Sequence, residues 1–447
     1  MLSVHTCRFV VVSQQRLNHM SLILPTLSFG QPLRLKHGAK HMMPLNFSRR
    51  QFGLGASSLA TLLFSGRASS QVSQSRLEQR RVWALPRDNY VPFYKLFESG
   101  IVRKGATTSP LPDASEKLDL TFDFDGRSYT LDEYQKITKT YGLIVIKDGS
   151  VRHEAYGFGA NRESLLWSAS MSKSIVSILA GIAVGRGSIR SVEDQITEYL
   201  PELRGTGYEG VRIRNALQMR SGVDWDDNFF APGPALDAQI ASLIENRARY
   251  TDIAQQTRSG YKPGSRLNYN SLDTAIIAWL VERAVGMPLS EFTSRYLWQP
   301  LGAEADAYWL TDGPKSVGRV FAAGGYNARL RDYARIGQLM LHNGRVGEQQ
   351  VLPSSWVAAT FAQPTDPVLH EGLYQYGYQW WLPDQQPGFS AVGGFGQYIH
   401  VNPKAGLVIA KNSWNPAPAG TFNGQKELIA QDNMALAFFA AAAAKLC

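Results

Sequence analysis

Short apolar stretches near both ends of the sequence have the pattern of β-strands. The run from Gly142 to Lys147, the turn signal Asp148-Gly149 and the return run from Ser150 to Tyr156 predict a β-hairpin. A second hairpin is predicted late in the chain, with strands at 397–401 and 407–411. Strands at both ends, with a different pattern between them, predict a sheet assembled from distant parts of the chain.

Between these strands the apolar residues recur at helical spacing. Those at positions 175, 178, 179 and 182 share one face of a helix that starts at Ser170 and ends near Gly185. Further helices are predicted at 267–285, 328–343 and 425–445, and one more strand at 376–382. The predicted fold class is therefore α+β: an antiparallel sheet flanked by helices, with an inserted, mostly helical domain at about 188–320.

The positive charge of the chain is confined to its beginning. The formal net charge is +9, but residues 1–70 hold eight Lys or Arg and no acidic residue. Removing these eight from the 46 basic residues of the chain leaves 38 against 37 acidic ones. The body therefore shows no charge pattern typical of nucleic-acid binding, and no such partner is predicted.

Residues 1–70 have the plan of an export signal. The segment 48–54 contains the twin arginines Arg49 and Arg50, and an apolar stretch of small residues follows to Phe64. That stretch is too short for a stable membrane span. We expect a twin-arginine leader over 1–70, initiation at Met42 or Met43, and a periplasmic mature protein. A core helix that follows a chance arginine pair is the alternative.

The sequence gives no sign of a metal or another cofactor. Cys7 lies in the leader and Cys447 is the last residue, so the mature body is expected to hold no internal disulfide. No cysteine–histidine cluster has zinc-ligand spacing, and no glycine-rich phosphate loop occurs. The oligomeric state does not follow from the sequence.

Ser170 and Lys173 are the most informative pair in the chain. Three residues apart at the start of a helix, they place a hydroxyl and an amine on one face of one turn. A desolvated lysine, its pKa lowered from about 10.4 to about 7–8, can accept the hydroxyl proton and make the serine nucleophilic. The same spacing recurs at Ser259 and Lys262, but Pro263 follows and cannot continue a helix. A plain helix cap at Ser170 is the alternative.

Two other segments can complete such a site. Tyr269 precedes a predicted helix and can relay protons if a nearby cation lowers its pKa. The glycine-rich segment Gly394-Phe395-Gly396 leads into a strand and allows the backbone to approach a ligand closely. The backbone N–H groups of Ser170 and Gln397 are candidates for an oxyanion hole. Core packing for the tyrosine and a simple turn for the glycines are the alternatives.

The order of these three segments resembles that in the class C β-lactamase and DD-peptidase superfamily, including its esterase and 6-aminohexanoate-dimer hydrolase branch. Other similar segments occur in the same order, at 196–203, 213–222, 323–332, 352–356 and 376–381. The resemblance therefore extends from about Thr138 to Lys411. It implies a catalytic domain over 118–447, preceded by an irregular N-terminal extension over 71–117.

The resemblance implies that Ser170 is the nucleophile, Lys173 the base and Tyr269 the proton relay. The segment Gly394-Phe395-Gly396 then stands where the lactamases have lysine–threonine–glycine, and Ser271 stands where they have asparagine. These departures favour a serine hydrolase of small ester or amide bonds, such as short-chain esters or 6-aminohexanoate oligomers. The alternatives are a β-lactamase or DD-carboxypeptidase, and a catalytically weak sensor.

The loop 224–230 is the candidate for substrate selection. It combines Asp226 and Asp227 with Trp225 and other aromatic residues that we expect to be exposed. These carboxylates can pair with a cationic amine of the substrate. A solvated loop with no role in binding is the alternative.

Overall fold

The structure is a computed structural model that describes residues 89–229, 232–314, 316–362, 374–383, 387–414 and 425–447. The predicted leader, residues 1–70, lies outside this range, as does the first part of the predicted extension. The described residues belong to one compact unit, Gln71–Cys447.

The strands of the described residues have the following bounds: β1 Ser99–Val102, β2 Thr121–Phe124, β3 Arg127–Thr130, β4 Thr140–Lys147, β5 Ser150–Tyr156, β6 Leu166–Trp167, β7 Ala307–Leu310, β8 Tyr326–Ala328, β9 Arg345–Val346, β10 Gln349–Gln350, β11 Tyr374–Tyr376, β12 Trp381–Pro383, β13 Phe389–Gly393, β14 Gln397–Asn402 and β15 Leu407–Ser413.

The α-helices of the same residues are α1 Leu131–Ile137, α2 Met171–Gly185, α3 Ile196–Tyr199, α4 Ile213–Leu217, α5 Pro234–Gln239, α6 Ser271–Val285, α7 Leu289–Thr293, α8 Gln299–Leu301, α9 Leu330–Leu341, α10 Ser354–Phe361 and α11 Gln425–Leu446. Two π-helical turns, Ile240–Ile244 and Ser294–Trp298, continue α5 and α7.

A seven-stranded antiparallel sheet, counted over the described residues, forms the centre of the fold. Its order is β11-β12-β13-β14-β15-β4-β5, so the early hairpin β4–β5 joins the late strands through the β15–β4 pair. This confirms the prediction of an antiparallel sheet built from both ends of the chain. The α+β class is confirmed with it.

Strand β4 is buried on both faces, and its alternate residues join two different parts of the core. Ile144 and Ile146 pack in the larger cluster, which also contains apolar residues of α2, α6 and α9. Leu143 and Val145 face the other way, toward α1 and the end of α11, including Phe438. Because a strand alternates its side chains, layers of helices cover both faces of the sheet.

A second sheet contains strands that were not predicted from the sequence. Its strand order is β1-β7-β8-β6, with β1 paired antiparallel to β7. The part of the N-terminal extension from residue 89 onward is therefore not irregular throughout, because it supplies β1. The segment 188–320, predicted to be mostly helical, also contains β7, and its longest helix is α6.

The aromatic segment 376–382 also differs from the prediction of a continuous strand. It contains the end of β11 and the beginning of β12, with a turn between them in which Gln379 has a φ of 60°. The N–H of Gly377 bonds the carbonyl of Trp380 across this turn. Both ends of the segment are therefore strands, but a hairpin turn interrupts the alternation between them.

Among the described residues, no helix is both long enough and apolar enough to cross a bilayer.

Candidate active site

The chain turns sharply from β6 into α2 at Ser170. The N–H of Ser168 bonds the carbonyl oxygen of Tyr326 on β8, at 2.9 Å, and Ala169 has a φ of 44°. A left-handed conformation is costly for alanine, and such strain is often found at functional sites. Ser170 occupies the cap position of α2, but its side chain makes no capping bond. The interpretation of Ser170 as a plain helix cap is therefore wrong.

The amine of Lys173 lies directly against the hydroxyl of Ser170. Its Nζ is 2.8 Å from Ser170 Oγ and 2.9 Å from the carbonyl oxygen of Ala323. The lysine is 2 % exposed, and this burial lowers its pKa to about 8, against the opposing effect of the Asp227 charge. The lowered pKa increases the neutral fraction of Lys173, and only the neutral amine can accept a proton.

Ser259 and Lys262, which have the same spacing, form no such pair. Both are exposed, and Ser259 Oγ bonds the carbonyl oxygen of Tyr261 at 3.1 Å. Residues 257–264 are not helical, so the serine and lysine do not share the face of a turn. The sequence context therefore distinguished the two copies correctly.

Tyr269 completes the cluster from the residue before the cap of α6. It is hydrogen-bonded to Ser170, and Lys173 Nζ lies 4.9 Å from the centre of its ring. The ring stacks on Trp381, with centroids 5.5 Å apart. Burial raises the pKa of Tyr269, and the Asp227 charge raises it further. The expectation of a lowered pKa is wrong, because burial favours the neutral phenol of Tyr269.

Asp227 lies inside this cluster. Its carboxylate accepts hydrogen bonds from Trp225 Nε1 at 2.8 Å, from the Ser271 N–H at 2.7 Å and from Ser271 Oγ at 2.8 Å. Burial raises the pKa of Asp227, while the charge of Lys173 opposes this. With three donors in place, Asp227 holds the loop against α6 and acts on Lys173. Its predicted contact with a substrate amine stays a prediction.

The other residues of the loop separate into two groups. Trp225 is 6 % exposed and belongs to the core, so the prediction that it is exposed is wrong. Asp226 is exposed, and its carboxylate bonds the backbone N–H of Asn228. Phe229 faces the cavity described below. Residue 230 lies outside the described residues.

The glycine-rich segment is the turn between β13 and β14, where Gly393 and Gln397 are opposite each other. A Cβ atom on Gly393 would lie 2.4 Å from the carbonyl oxygen of Ser168 and 2.9 Å from the N atom of Met171. Only glycine therefore allows β13 to reach the turn that carries Ser170. The structure thus brings the third predicted segment beside the turn that carries Ser170.

The side chain of Gln397 fixes this arrangement from behind. Its Nε2 bonds the Ser413 carbonyl oxygen at 2.6 Å, and its Oε1 accepts from Asn412 Nδ2 at 3.0 Å. Asn412 also bonds the carbonyl oxygen of Trp167, which is the last residue of β6. One amide network therefore connects β14, β15 and the strand that precedes Ser170.

A cavity of about 270 Å³ opens beside Ser170. Gly394 and the buried Phe395 lie along its wall, with Ser271 and Phe229. Its other apolar lining comes from positions that the sequence analysis did not identify: Phe97, Trp167, Leu236, Ile240, Leu243, Ile244 and Phe321. The cavity lining contains no charged side chain among the described residues. These positions are far apart in sequence, and no local motif marks them.

The buried amide of Gln379 is a further residue that the motifs did not reveal. The backbone carbonyl oxygen of Gln379 accepts from Ser174 Oγ at 2.6 Å, its side-chain Oε1 accepts from Thr274 Oγ1 at 2.7 Å, and its Nε2 donates to the carbonyl of Ala216. These bonds join α2, α4 and α6.

In the described part of the chain, no group of histidine, cysteine or carboxylate side chains is placed to hold a metal ion.

A serine hydroxyl held by a buried lysine, with a tyrosine beside both, defines the site as that of a serine hydrolase. The model of the Beta-lactamase family matches residues 131–433 of the chain. That span is more than half of the chain and includes Ser170, Lys173 and Tyr269. The protein belongs to the Beta-lactamase family.

Individual relatives agree with this placement. The chain is 29 % identical over 333 residues to a 6-aminohexanoate-dimer hydrolase of Paenarthrobacter ureafaciens, covering 71 % of this chain and 79 % of the relative. A beta-lactamase of Pseudomonas fluorescens is 23 % identical over 168 residues, covering 36 % of this chain and 43 % of that protein.

Solved structures show the same fold. One from Bacillus anthracis, provisionally described as a 6-aminohexanoate-dimer hydrolase, superposes with a TM-score of 0.67 at 24 % identity. It covers 80 % of this chain and 97 % of its own. EstCE1, a hydrolase with promiscuous acyltransferase activity, gives a TM-score of 0.53 at 15 % identity, covering 68 % of this chain and 95 % of its own.

Proposed function

We propose that this serine hydrolase cleaves small ester or amide bonds through an acyl-enzyme on Ser170. The observation that carries the proposal is the 2.8 Å contact between Lys173 Nζ and Ser170 Oγ at the wall of an apolar cavity. The contact supplies a base for the hydroxyl, and the cavity supplies room for an acyl group.

In the first half of the reaction, neutral Lys173 takes the proton of Ser170 as Oγ attacks the substrate carbonyl carbon. The N–H groups of Ser170 and Gln397 stabilise the oxyanion that forms. Lys173 then returns the proton through the phenol of Tyr269 to the leaving alcohol or amine. The bond to the leaving group breaks, and an ester on Ser170 remains. The raised pKa of Tyr269 suits a relay that stays protonated between transfers.

In the second half, water attacks the acyl-enzyme. Tyr269 and Lys173 together take one proton from the water, the oxyanion forms again in the same place, and the proton returns to Ser170 Oγ as the acid leaves. The same groups therefore serve both halves in opposite directions, as microscopic reversibility requires.

The cavity also favours one class of acyl group. Its lining is aromatic and aliphatic and, over the described residues, contains no carboxylate that can pair with an ammonium group. Leaving a substrate ammonium unpaired in such a site costs several kcal/mol. We therefore assign the cavity to a neutral linear acyl group. The relative from Paenarthrobacter ureafaciens supports linear amides as substrates, including 6-aminohexanoate oligomers. Because the cavity offers no carboxylate, we expect an acyl group that ends in an amine to react more slowly than its neutral counterpart.

A lactamase or DD-carboxypeptidase activity is the alternative, and a weakly acylating sensor is another. Phe395 and Gly394 stand where the lactamases carry threonine and lysine, which removes polar groups from the substrate side of the turn.

The twin-arginine plan of residues 48–54 supports export, and we propose a periplasmic location for the mature protein. Fractionation of cells that express the full chain, with Arg49→Lys and Arg50→Lys together as control, tests the location.

The deciding experiment mixes the mature protein with p-nitrophenyl acetate and, separately, with nitrocefin, beside the Ser170→Ala variant. We expect a burst and steady turnover of the ester that need Ser170, with little turnover of nitrocefin. Fast nitrocefin hydrolysis would establish the lactamase alternative. A burst with either reagent that is not followed by turnover would establish the sensor, and no Ser170-dependent reaction at all would exclude the proposal.

A further inference from the structure

Lys411 is a buried lysine on β15, outside the Ser170–Lys173–Tyr269 cluster. It is 1 % exposed and is paired with Tyr398 of the neighbouring strand. Its Nζ lies 3.0 Å from Ser413 Oγ and 3.4 Å from the carbonyl oxygen of Gly396. The ring centres of Tyr134 and Tyr398 are 5.4 and 5.8 Å away. Oxygen atoms and aromatic faces all suit a cation.

The carbonyl that Lys411 contacts belongs to one particular peptide group. Gly396 C=O and Gln397 N–H are the two ends of the same peptide, and this N–H is the proposed oxyanion donor. The described residues contain no cis peptide bond, so the two ends point in opposite directions. The lysine therefore lies behind the N–H, on the side away from the substrate.

Ser413 strengthens this connection. Its Oγ, which accepts from Lys411, lies 2.9 Å from the carbonyl oxygen of Gly396 and 2.7 Å from that of Phe395. Hydrogen bonds in series polarise one another, and in a dry interior the effect is larger than in water. A lysine amine and a hydroxyl at the carbonyl end make the N–H end a stronger donor.

The turn is shaped to keep these groups close. Gly396 has a φ of 85°, and a Cβ atom there would lie 2.3 Å from Ser413 Oγ and 3.2 Å from Lys411 Nζ. Any side chain at this position would separate the lysine and the serine from the peptide. On the Gln397 side of the peptide, the Gln397 side chain donates to the carbonyl oxygen of Ser413 and accepts from Asn412 Nδ2, which holds the residue in place.

We infer that Lys411, acting with Ser413, is a positioning residue of the oxyanion hole that polarises the Gly396–Gln397 peptide so that its N–H binds the anionic transition state more tightly. The inference rests on the proposed acyl transfer at Ser170. A residue of this kind acts on the tetrahedral anion and not on the neutral substrate, because negative charge is present on the oxygen only in the former.

The test compares Lys411→Met and Ser413→Ala with the wild type in ester turnover and in binding of phenylboronic acid, which forms a tetrahedral anionic adduct with Ser170 Oγ. We expect Lys411→Met to lower kcat about tenfold with little change in KM, since direct removal of an oxyanion donor costs about 10²–10³. Phenylboronic acid should bind more weakly by a similar factor. Ser413→Ala should show a smaller loss in both measurements.

The matched control is Lys147→Met, a lysine on β4 of the same sheet that pairs with Asp148 at 2.6 Å. It should leave both measurements unchanged. A folded Lys411→Met protein with normal kcat and normal boronate affinity would overturn the inference. If Lys411→Met shows no cooperative melting, Ser413→Ala decides alone, and wild-type values there overturn it. If wild-type turnover proves independent of Ser170, the proposed function fails first and the inference fails with it.

Discussion

The carboxylate of Asp227 accepts the hydroxyl hydrogen of Ser271 at 2.8 Å and the backbone N–H of the same serine at 2.7 Å. This pair joins the loop after α4 to the first residue of α6, immediately after Tyr269-Asn270. Asn270 caps that helix through Leu272 N, which leaves the Ser271 N–H for Asp227. A negative charge is thereby fixed close to Lys173, where it affects the proton affinity of the base.

The first prediction concerns the pH dependence of the reaction. Lys173 must be neutral to accept a proton, and burial lowers its pKa to about 8. We therefore expect kcat/KM for a neutral ester to rise with pH and to level off above about 8. Tyr269 should cause no second rise in rate below pH 8, because its pKa is raised. Rates measured from pH 5 to 9.5 with chemistry rate-limiting test this, and a flat profile contradicts it.

Replacing the base provides the corresponding control. Lys173→Met should lower kcat/KM by about 10³-fold, within the usual contribution of a positioned general base. The activity that remains should lose its dependence on a group with a pKa near 8. If the rate of the variant still rises with pH around 8, the titrating group is a residue other than Lys173.

The second prediction uses Asp227. Its charge favours the protonated form of Lys173, so Asp227→Asn should lower the lysine pKa. The rising limb of the pH profile should then move to lower pH by about one unit. Asp226→Asn, at the exposed neighbouring position, is the matched control and should leave the limb in place. An unchanged midpoint in Asp227→Asn would show that the two charges do not interact.

The third prediction compares two adjacent glycines. Gly393→Ala places a methyl group against Ser168 and Met171 and should push β13 away from the nucleophile. We expect a loss of kcat of about 10²-fold, because small displacements of reacting groups are costly. A Cβ atom at Gly394 meets no atom within 4 Å, so Gly394→Ala should retain the melting temperature and lose much less kcat than Gly393→Ala. Equal effects of the two substitutions would contradict the close approach of β13.

The fourth prediction concerns the cavity. Matched p-nitrophenyl esters of hexanoic and 6-aminohexanoic acid differ by one ammonium group, and we expect the neutral ester to have the higher kcat/KM. Ile240 lies in the cavity lining and is partly exposed. Ile240→Glu should therefore shift the ratio toward the amine by about tenfold or more.

Two controls accompany this measurement. Ile240→Gln has nearly the same shape as the glutamate variant but no charge, so it should lower both rates without changing the ratio. Asp226→Asn should also leave the ratio unchanged, since Asp226 lies outside the cavity lining. A strong preference of the wild type for the amine, lost in Asp226→Asn, would instead support substrate selection by the loop.

Much of the fold followed from local patterns. The hairpin β4–β5, the helix after Ser170 and the hairpin β14–β15 were predicted nearly to the residue, because apolar periodicity and turn residues are local signals. The strand predicted over 376–382 was wrong, since a left-handed Gln379 interrupts an alternation that continues in the sequence. Strand β1 was missed because its four residues, Ser99–Val102, show no alternation of buried and exposed positions.

The sequence by itself determined which residue types meet at the site and in which order they occur. Ser170 and Lys173 share a helical turn whatever surrounds them, so their contact is a local property. Only the tertiary structure decided the pKa of Lys173, the raised pKa of Tyr269, the inward position of Asp227, the apolar cavity and the place of Lys411 beside the Gly396 carbonyl. Each of these depends on burial and on charges carried by distant segments, and neither is encoded in spacing along the chain.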